Sequence, residues 1–315
     1  MKIAFCADPL DGFKTYKDST YAMMVEAAQR GHAVYAFQQK DMAIESGAVV
    51  ANVARITIID TTGTQKNWYK AEVPTALPLQ GFDAIVMRKD PPFDMEYIYA
   101  TYLLELAESH GARVFNRPAA VRNHNEKLAI TQFPQFIAPT LVTSDEARIR
   151  AFHAEHHDII LKPLDGMGGA GIFRVRADAM NLGAIIETLT MNGSTTIMAQ
   201  RFIPEISLGD KRILLIGGVM VPFCLARIPQ GTEVRGNLAA GGLGVALPIT
   251  DGERKIAEAL APELNARGLL LVGLDVIGNY MTEINVTSPT CFQEIAQQTG
   301  FNVAAVFIDA VEKAV

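Results

Sequence analysis

Three oxygen-bearing side chains stand close together late in the chain, in Gly273-Leu-Asp275-Val-Ile-Gly-Asn-Tyr-Met-Thr-Glu283-Ile-Asn285. Glu283 and Asn285 are two apart, so on a strand they share a face. A three-residue hairpin loop at Gly278-Asn279-Tyr280 would pair residue 277 with 281 and bring Asp275 opposite Glu283. A two-residue loop would turn Asp275 to the other face. Two carboxylates and an amide are hard oxygen donors that suit Mg²⁺, which also recruits phosphate oxygens and water.

A second stretch offers the complementary chemistry. Asp165-Gly-Met-Gly-Gly-Ala-Gly171 satisfies GxGxxG through Gly166, Gly168 and Gly171, with Gly169 between them. A dinucleotide fold would need a helix after the glycines. Here Ile172-Phe-Arg-Val-Arg176 follows, alternating apolar and basic residues, which is a strand. Strand, glycine loop, strand makes a hairpin whose bare amides can cover phosphates. Lys162 ends the apolar strand Asp158-Ile-Ile-Leu-Lys-Pro163 just before that loop, where an ammonium can meet phosphate oxygens. The pairing of this loop with the carboxylate trio points to a magnesium nucleotide.

Cations gather around a third segment. Arg212, Arg227 and Arg235 surround Ile228-Pro-Gln-Gly-Thr-Glu-Val-Arg-Gly-Asn-Leu-Ala-Ala-Gly-Gly-Leu-Gly244, which shows no apolar periodicity. Long loops of this kind in compact domains are commonly functional lids or disordered. A lid carrying an arginine could exclude water from a reactive intermediate and stabilise a moving phosphoryl group. No GxSxG elbow occurs, and Cys291 has no histidine nearby in sequence, so activation by a nucleotide fits better than a side-chain nucleophile.

These segments must be positioned by a larger α/β frame. The first third reads as strands at Ile3 to Ala7, His32 to Phe37, Arg55 to Ile59 and Asp83 to Arg88, with helices at Ser19 to Arg30 and Asp94 to His110. Such alternation implies a parallel sheet with ligands beyond the carboxyl ends of its strands. The loops starting at Asp8 and Arg88 are therefore candidate ligand loops. A second unit has helices near 144–157 and 181–191 and strands near 158–163, 171–176 and 196–201. A third has strands at Arg212 to Ile216, Met220 to Arg227, 269–277 and 281–286, with a helix at 251–267. The expected division is 1–121, 122–202 and 203–315, with the mobile loop 228–244 in the last.

Composition narrows the function. With 315 residues and 49% apolar content the chain can bury several cores. Its 28 basic and 34 acidic residues give 28 − 34 = −6, without blocks of like charge, so neither nucleic acid nor a membrane is the expected partner. Three scattered cysteines form no CxxC, and the opening residues lack a signal-peptide pattern, which fits the cytoplasm.

Several longer runs then carry a resemblance. Met87-Arg-Lys-Asp-Pro-Pro-Phe93, Leu161-Lys-Pro-Leu-Asp-Gly-Met-Gly-Gly169, Ala226-Arg-Ile-Pro-Gln230, Arg235-Gly-Asn-Leu-Ala-Ala-Gly-Gly242 and Thr282-Glu-Ile-Asn-Val-Thr-Ser-Pro-Thr290 resemble the motifs of the bacterial glutathione synthetase family, within the ATP-grasp superfamily. The resemblance covers nearly the whole chain. It implies an ATP-grasp fold behind a Rossmann-like N-terminal domain, and ligation of γ-glutamylcysteine and glycine by ATP through an acyl phosphate.

It also implies roles. Lys127, Lys162, Gly166, Gly168 and Gly169 would serve ATP, with Gln200, Phe202 and Ile203 in the linker lining the adenine pocket. Arg212 and Arg235 would act on the reacting groups. Arg88, Arg227, Asn237, Val286, Thr287, Ser288 and Pro289 would bind substrate. Asp275, Glu283 and Asn285 would hold two Mg²⁺, with Mn²⁺ as a substitute. A homotetramer is implied by resemblance alone. Leu243 departs from the family, where an arginine is expected. The alternatives are another ATP-grasp carboxylate–amine ligase, of D-alanine–D-alanine or glutamate-adding type, and a non-catalytic ATP-binding module.

Overall fold

The structure, a computed structural model, describes residues 1–65, 67–231, 233 and 235–315. Three sheets organise it. In the first, strands β1 (Lys2–Ala7), β2 (Ala33–Phe37), β7 (Ala84–Arg88) and β8 (Val114–Phe115) run parallel at the centre and one side, in the order β2-β1-β7-β8. Helices α1 (Ser19–Gln29) and α2 (Met95–Ser109) belong to the crossovers. Each begins at an aspartate whose carboxylate accepts an N–H of the first turn, from Tyr21 to Asp18 and from Tyr97 to Asp94.

The other side of this sheet is antiparallel, a departure from the uniform parallel reading. Strands β3 (Met42–Glu45), β4 (Ala48–Ile58), β5 (Tyr69–Ala71) and β6 (Thr75–Pro78) all pair around β4. The segment read as Arg55 to Ile59 is the last part of that long strand. For β3 and β4 the cause is local: Ser46-Gly47 joins Glu45 to Ala48 as a two-residue hairpin turn, which permits only antiparallel pairing.

The short helix α3 (Pro118–Arg122) leads into the second sheet. Its strands are β9 (Thr140–Thr143), β10 (Ile159–Pro163), β11 (Phe173–Val175) and β12 (Ile197–Arg201), in the order β11-β10-β12-β9 and all antiparallel. Helices α4 (Glu146–His156) and α5 (Leu182–Thr190) cover one face. They share with the strands a core of their own, including Ile149, Ile159, Leu161, Ile186 and Ile197.

The third sheet has the order β15-β14-β13-β16-β17, from β13 (Asp210–Ile216), β14 (Val219–Ile228), β15 (Leu243–Pro248), β16 (Leu271–Ile277) and β17 (Tyr280–Asn285). Helices α6 (Asp251–Ala266), α7 (Phe292–Thr299) and α8 (Val303–Ala314) complete this unit. Two large cores run continuously between the first and third sheets: Ala4 and Leu104 pack in one with Ile213 and Leu260, and Phe5 and Met24 in the other with Leu214 and Phe307. Asn116 stitches the same boundary. Its Nδ2 donates to the carbonyls of Leu271 and Val286, and its Oδ1 accepts from Leu271 N.

Two expectations for the third unit are corrected. The segment 228–244 contains a 3₁₀ turn at Leu238–Ala240, and its last residues begin β15, a strand the sequence reading missed. The β16–β17 turn has two residues, since Ile277 pairs with Tyr280 and Val276 with Met281. A bulge beside Thr282 then shifts the register, and Asp275 still pairs with Glu283. The expected pairing arises by a different route.

Candidate active site

Two clefts meet where the three sheets approach. The first lies between the second and third sheets and is lined by Lys127, Lys162, the 166–170 glycine loop, Gln200 to Ile203, Asp210 and Glu283. As the sequence suggested, the glycine loop joins two antiparallel strands, with Leu161 opposite Phe173. Lys162 is 6% exposed and its Nζ donates to the Thr282 carbonyl at 3.2 Å. Burial pulls its pKa down to about 8, with Glu283 opposing that fall. Lys127 reaches across, donating to the Gly166 carbonyl and to Glu283 Oε1 at 3.0 Å.

The linker side of this cleft is apolar and braced from behind. The Arg174 guanidinium lies 3.5 Å from the centre of the Phe202 ring, held there by a two-pronged bond to Asp158. Gln200 donates to Thr140 Oγ1, and Ile203 is buried. A flat apolar slot beside buried ammonium groups and bare loop amides suits a nucleotide. The cleft encloses about 110 Å³, below the ~300 Å³ floor usual for ligand pockets. Arg235 closes it, donating from Nη1 to the Gly169 carbonyl at 3.2 Å. Gly169 has φ +84°, and a Cβ there would stand 2.7 Å from Asn237 Oδ1, so only glycine lets the two loops meet.

The second cleft, of about 430 Å³, opens toward the first sheet. Gly168, Asn237 and Glu283 line both clefts, so the two are continuous at these residues. Arg88 enters from β7, at 4% exposure. Its Nε donates to Thr20 Oγ1 at 3.0 Å and its Nη2 to the Pro289 carbonyl at 2.9 Å, while Nη1 is buried without a partner. The loop after β1 meets it there: Asp8 accepts from Asp90 N and pairs with Lys89 at 2.9 Å. Of the 286–289 turn, Thr287 and Ser288 line the cleft. Val286 is wholly buried, and Pro289 serves through its carbonyl.

Beneath the junction sits a buried ionic group. Asp275 is 2% exposed and takes Arg212 Nε and Nη2 on its two oxygens, with Arg227 Nη2 at 2.8 Å. Burial alone would raise its pKa, but the two guanidinium charges outweigh that and hold the carboxyl well below the usual range. Arg227 also binds Asp210. Burial nevertheless pushes Asp210 up to about 7, with Asp275 adding to the effect and Arg227 opposing it.

The three residues expected from the sequence to hold metal are thus arranged in depth. Glu283 faces both clefts and Asn285 the second, with its Nδ2 donated to the Gly273 carbonyl, while Asp275 lies behind with the arginines. Among the described residues no three His, Cys, Asp or Glu side chains cluster at metal distance. Asp275 has both oxygens taken by the arginines, which leaves Glu283 and the Asn285 amide oxygen at the clefts, hard donors that fit Mg²⁺ better than a softer metal.

The site residues expected from the sequence leave out four carboxylates found here, one of them in the Tyr16-Lys-Asp-Ser19 run, which resembles a substrate-side loop of the family only loosely. Asp210 stands two residues before Arg212 on one strand face, a spacing that could have flagged it. Glu126 adjoins Lys127 and accepts from Val286 N, Thr287 N and Thr287 Oγ1, which fixes the turn. Asp18 and Glu294 reach the second cleft from the starts of α1 and α7. No sequence signal joins that pair, because only the fold brings the two helix starts together.

Comparison with known proteins agrees with this geometry. Residues 1–122 match the family description "Prokaryotic glutathione synthetase, N-terminal domain", and residues 126–300 match "Prokaryotic glutathione synthetase, ATP-grasp domain". The chain is 64% identical over 314 residues to a glutathione synthetase of Ralstonia nicotianae, covering 100% of this chain and 96% of the relative. It is 60% identical over 313 residues to that of Nitrosomonas europaea, covering 99% and 98%. A D-cycloserine synthetase structure superposes over 100% of both chains with TM-score 0.70 at 16% identity, a likeness of fold.

Proposed function

Because the chain belongs to the prokaryotic glutathione synthetase family, we propose that its first cleft holds ATP and its second γ-glutamylcysteine, with the reacting groups meeting beside Glu283. The protein is an ATP-dependent ligase that joins γ-glutamylcysteine to glycine, giving glutathione, ADP and phosphate. The observation that carries the site assignment is the continuity of the two clefts at Gly168, Asn237 and Glu283.

In this reading the cysteinyl carboxylate attacks the γ-phosphorus, ADP leaves and an acyl phosphate forms. The glycine amine then attacks the acyl carbon, loses a proton, and phosphate departs. Lys162, Lys127 and the glycine-loop amides bind the phosphates, and Phe202 and Ile203 hold the base. Arg212 and Arg227 supply fixed positive charge beneath the transfer, and Arg235 shuts the clefts from water. Glu283, Asn285 and Asp275 would hold Mg²⁺, as two ions with Mn²⁺ as a substitute, which neutralises phosphate charge when bound. The division into 1–121, 122–202 and 203–315 is part of the same proposal, supported by the separate core of the middle piece. So are a homotetramer and a cytoplasmic setting; among the described residues no helix is long and apolar enough to cross a membrane.

The test is ADP release with Mg-ATP, with γ-glutamylcysteine and glycine added singly and together. Release that requires both, matched one for one by glutathione, is the expected result. Release with D-alanine or another amine in place of glycine would overturn the substrate assignment. Tight ATP binding with no release would favour the non-catalytic module.

Lys162 adds a pH dependence. Its ammonium is the form that attracts phosphate, and in the free protein it is lost above about pH 8. The KM for ATP is therefore expected to rise between neutral pH and roughly pH 9. Lys162→Met should bind ATP weakly at every pH and lack that rise; a flat wild-type profile would refute the assignment.

A further inference from the structure

The segment that carries Arg235 is the loop between β14 and β15, and its base stands at the open edge of the third sheet. The ladder ends where Ile228 pairs with Leu243, one step beyond the pair of Arg227 and Gly244. β15 is the edge strand of that sheet, so its outward main-chain groups lack an adjoining strand. Two of them are nevertheless taken. Gln298 of α7 accepts from Ala246 N at 2.8 Å and donates from Nε2 to the Gly244 carbonyl at 3.2 Å. One carboxamide thus grips both outward groups that flank Val245, as a neighbouring strand would.

The place of this grip ties it to the site. Gly244 pairs with Arg227, whose guanidinium binds Asp210 and Asp275. A Cβ at Gly244 would stand 3.3 Å from Leu238 Cδ2, so the loop folds back onto the gripped rung. Asn237 and Leu238 in turn line the second cleft. The helix that carries Gln298 is itself fastened to the first sheet's loop. Gln293 and Gln297 donate to the carbonyls of Thr15 and Tyr16, and Phe292 N donates to Ser19 Oγ. Lys14 and Lys17 of that loop line the same cleft. One helix therefore holds both the base of the Arg235 loop and the loop at the cleft.

Resting on the functional reading above, we propose that Gln298 is a positioning residue for the closed lid. By pinning β15 it keeps Arg235 over the glycine loop until glycine attacks the acyl phosphate. Gln298 itself is exposed and lines neither cleft, so it acts only through the strand. Glycine and water compete for the same acyl carbon. Attack by the amine forms the C–N bond, breaks the C–O bond to phosphate and releases a proton, giving glutathione. Attack by water breaks the same C–O bond, releases phosphate and a proton, and returns γ-glutamylcysteine, so ATP is consumed without product. A base that frays admits water and favours the second course.

The experiment measures ADP and glutathione side by side, using the whole enzyme with Mg-ATP, γ-glutamylcysteine and glycine. The wild type is expected to form the two nearly one for one. Gln298→Met keeps side-chain length and helix propensity but removes both hydrogen bonds. It should raise the ADP released in excess of glutathione by about five- to tenfold, the scale of one to two exposed hydrogen bonds. Its melting temperature should stay near that of the wild type. Gln298→Glu can still accept from Ala246 N but cannot donate to Gly244. It should fall between the two and covers the case in which the methionine variant does not fold. Variants that turn over more slowly, or melt earlier, yet keep the wild-type stoichiometry overturn the proposal, since that marks a structural role. A wild type that makes no glutathione would instead refute the functional reading.

Discussion

Replacing Asp275 by Asn is expected to destabilise the protein by about 3–5 kcal/mol and to lower glutathione formation by about 10²–10³ or more. The change is nearly isosteric, so its effect isolates charge. Arg212 and Arg227 are 6% and 5% exposed, and both direct guanidinium N–H groups at this one carboxylate. With Asn in its place Asp210 is the remaining acid against them, and burial already works against the ionisation of Asp210. Denaturant midpoints at neutral pH should show the stability loss. Acid adds a check on sign. The wild-type carboxyl has its pKa depressed on folding, so its contribution is complete above the ordinary aspartate value of about 3.9 and fades as pH falls toward the folded value. The gap between wild type and variant should therefore narrow in strong acid. A variant with wild-type stability and rate would show that Asp275 does not organise the arginines.

Gly273→Ala is expected to lower kcat by about 10² while leaving a folded protein weakened by roughly 1–3 kcal/mol. A Cβ at this strand position would stand 2.7 Å from Arg212 Cδ, 3.1 Å from its Nε and 3.3 Å from Pro289 Cβ. An arginine stem can ordinarily swing aside. Here its guanidinium is tied to Asp275, so any swing also moves the positive charge that we propose lies beneath the transfer. Pro289 is the acceptor for Arg88, and its displacement should raise the KM for γ-glutamylcysteine as well. Steady-state kinetics on both substrates, with a thermal melt, would test this. Unchanged kcat with a lowered melting temperature would separate Gly273 from the chemistry.

How much of this was legible in the sequence depended on the range of the cause. The strand, glycine loop, strand unit around Lys162 and the placement of α1 and α2 follow from alternation and local glycines, and they stand within a residue or two of expectation. The antiparallel half of the first sheet was hidden because β3, β5 and β6 are short, exposed edge segments with little apolar signal. The carboxylate trio was seen as a set. Its division, with Asp275 beneath the arginines and Glu283 at the clefts, depends on β13 pairing with β16 on one side and with β14 on the other, which no spacing encodes. Asp18 and Glu294 lie 276 positions apart, as 294 − 18 shows, and meet only through the α1–α7 contact.

The bulge beside Thr282 has a consequence for how this hairpin can change length over evolution. The residue count between Asp275 and Glu283 works as a parity. One extra residue is present, and it lies in the strand, whereas a longer turn could have absorbed it with the same pairing. A single insertion or deletion here would rotate Glu283 and Asn285 to the opposite face of the sheet. Related chains are therefore free to trade a bulge for a longer turn, or the reverse, but not to gain or lose one residue alone. Drift in this segment is confined to compensated pairs, and a lone frame-preserving codon deletion would turn Glu283 and Asn285 away from the clefts they line.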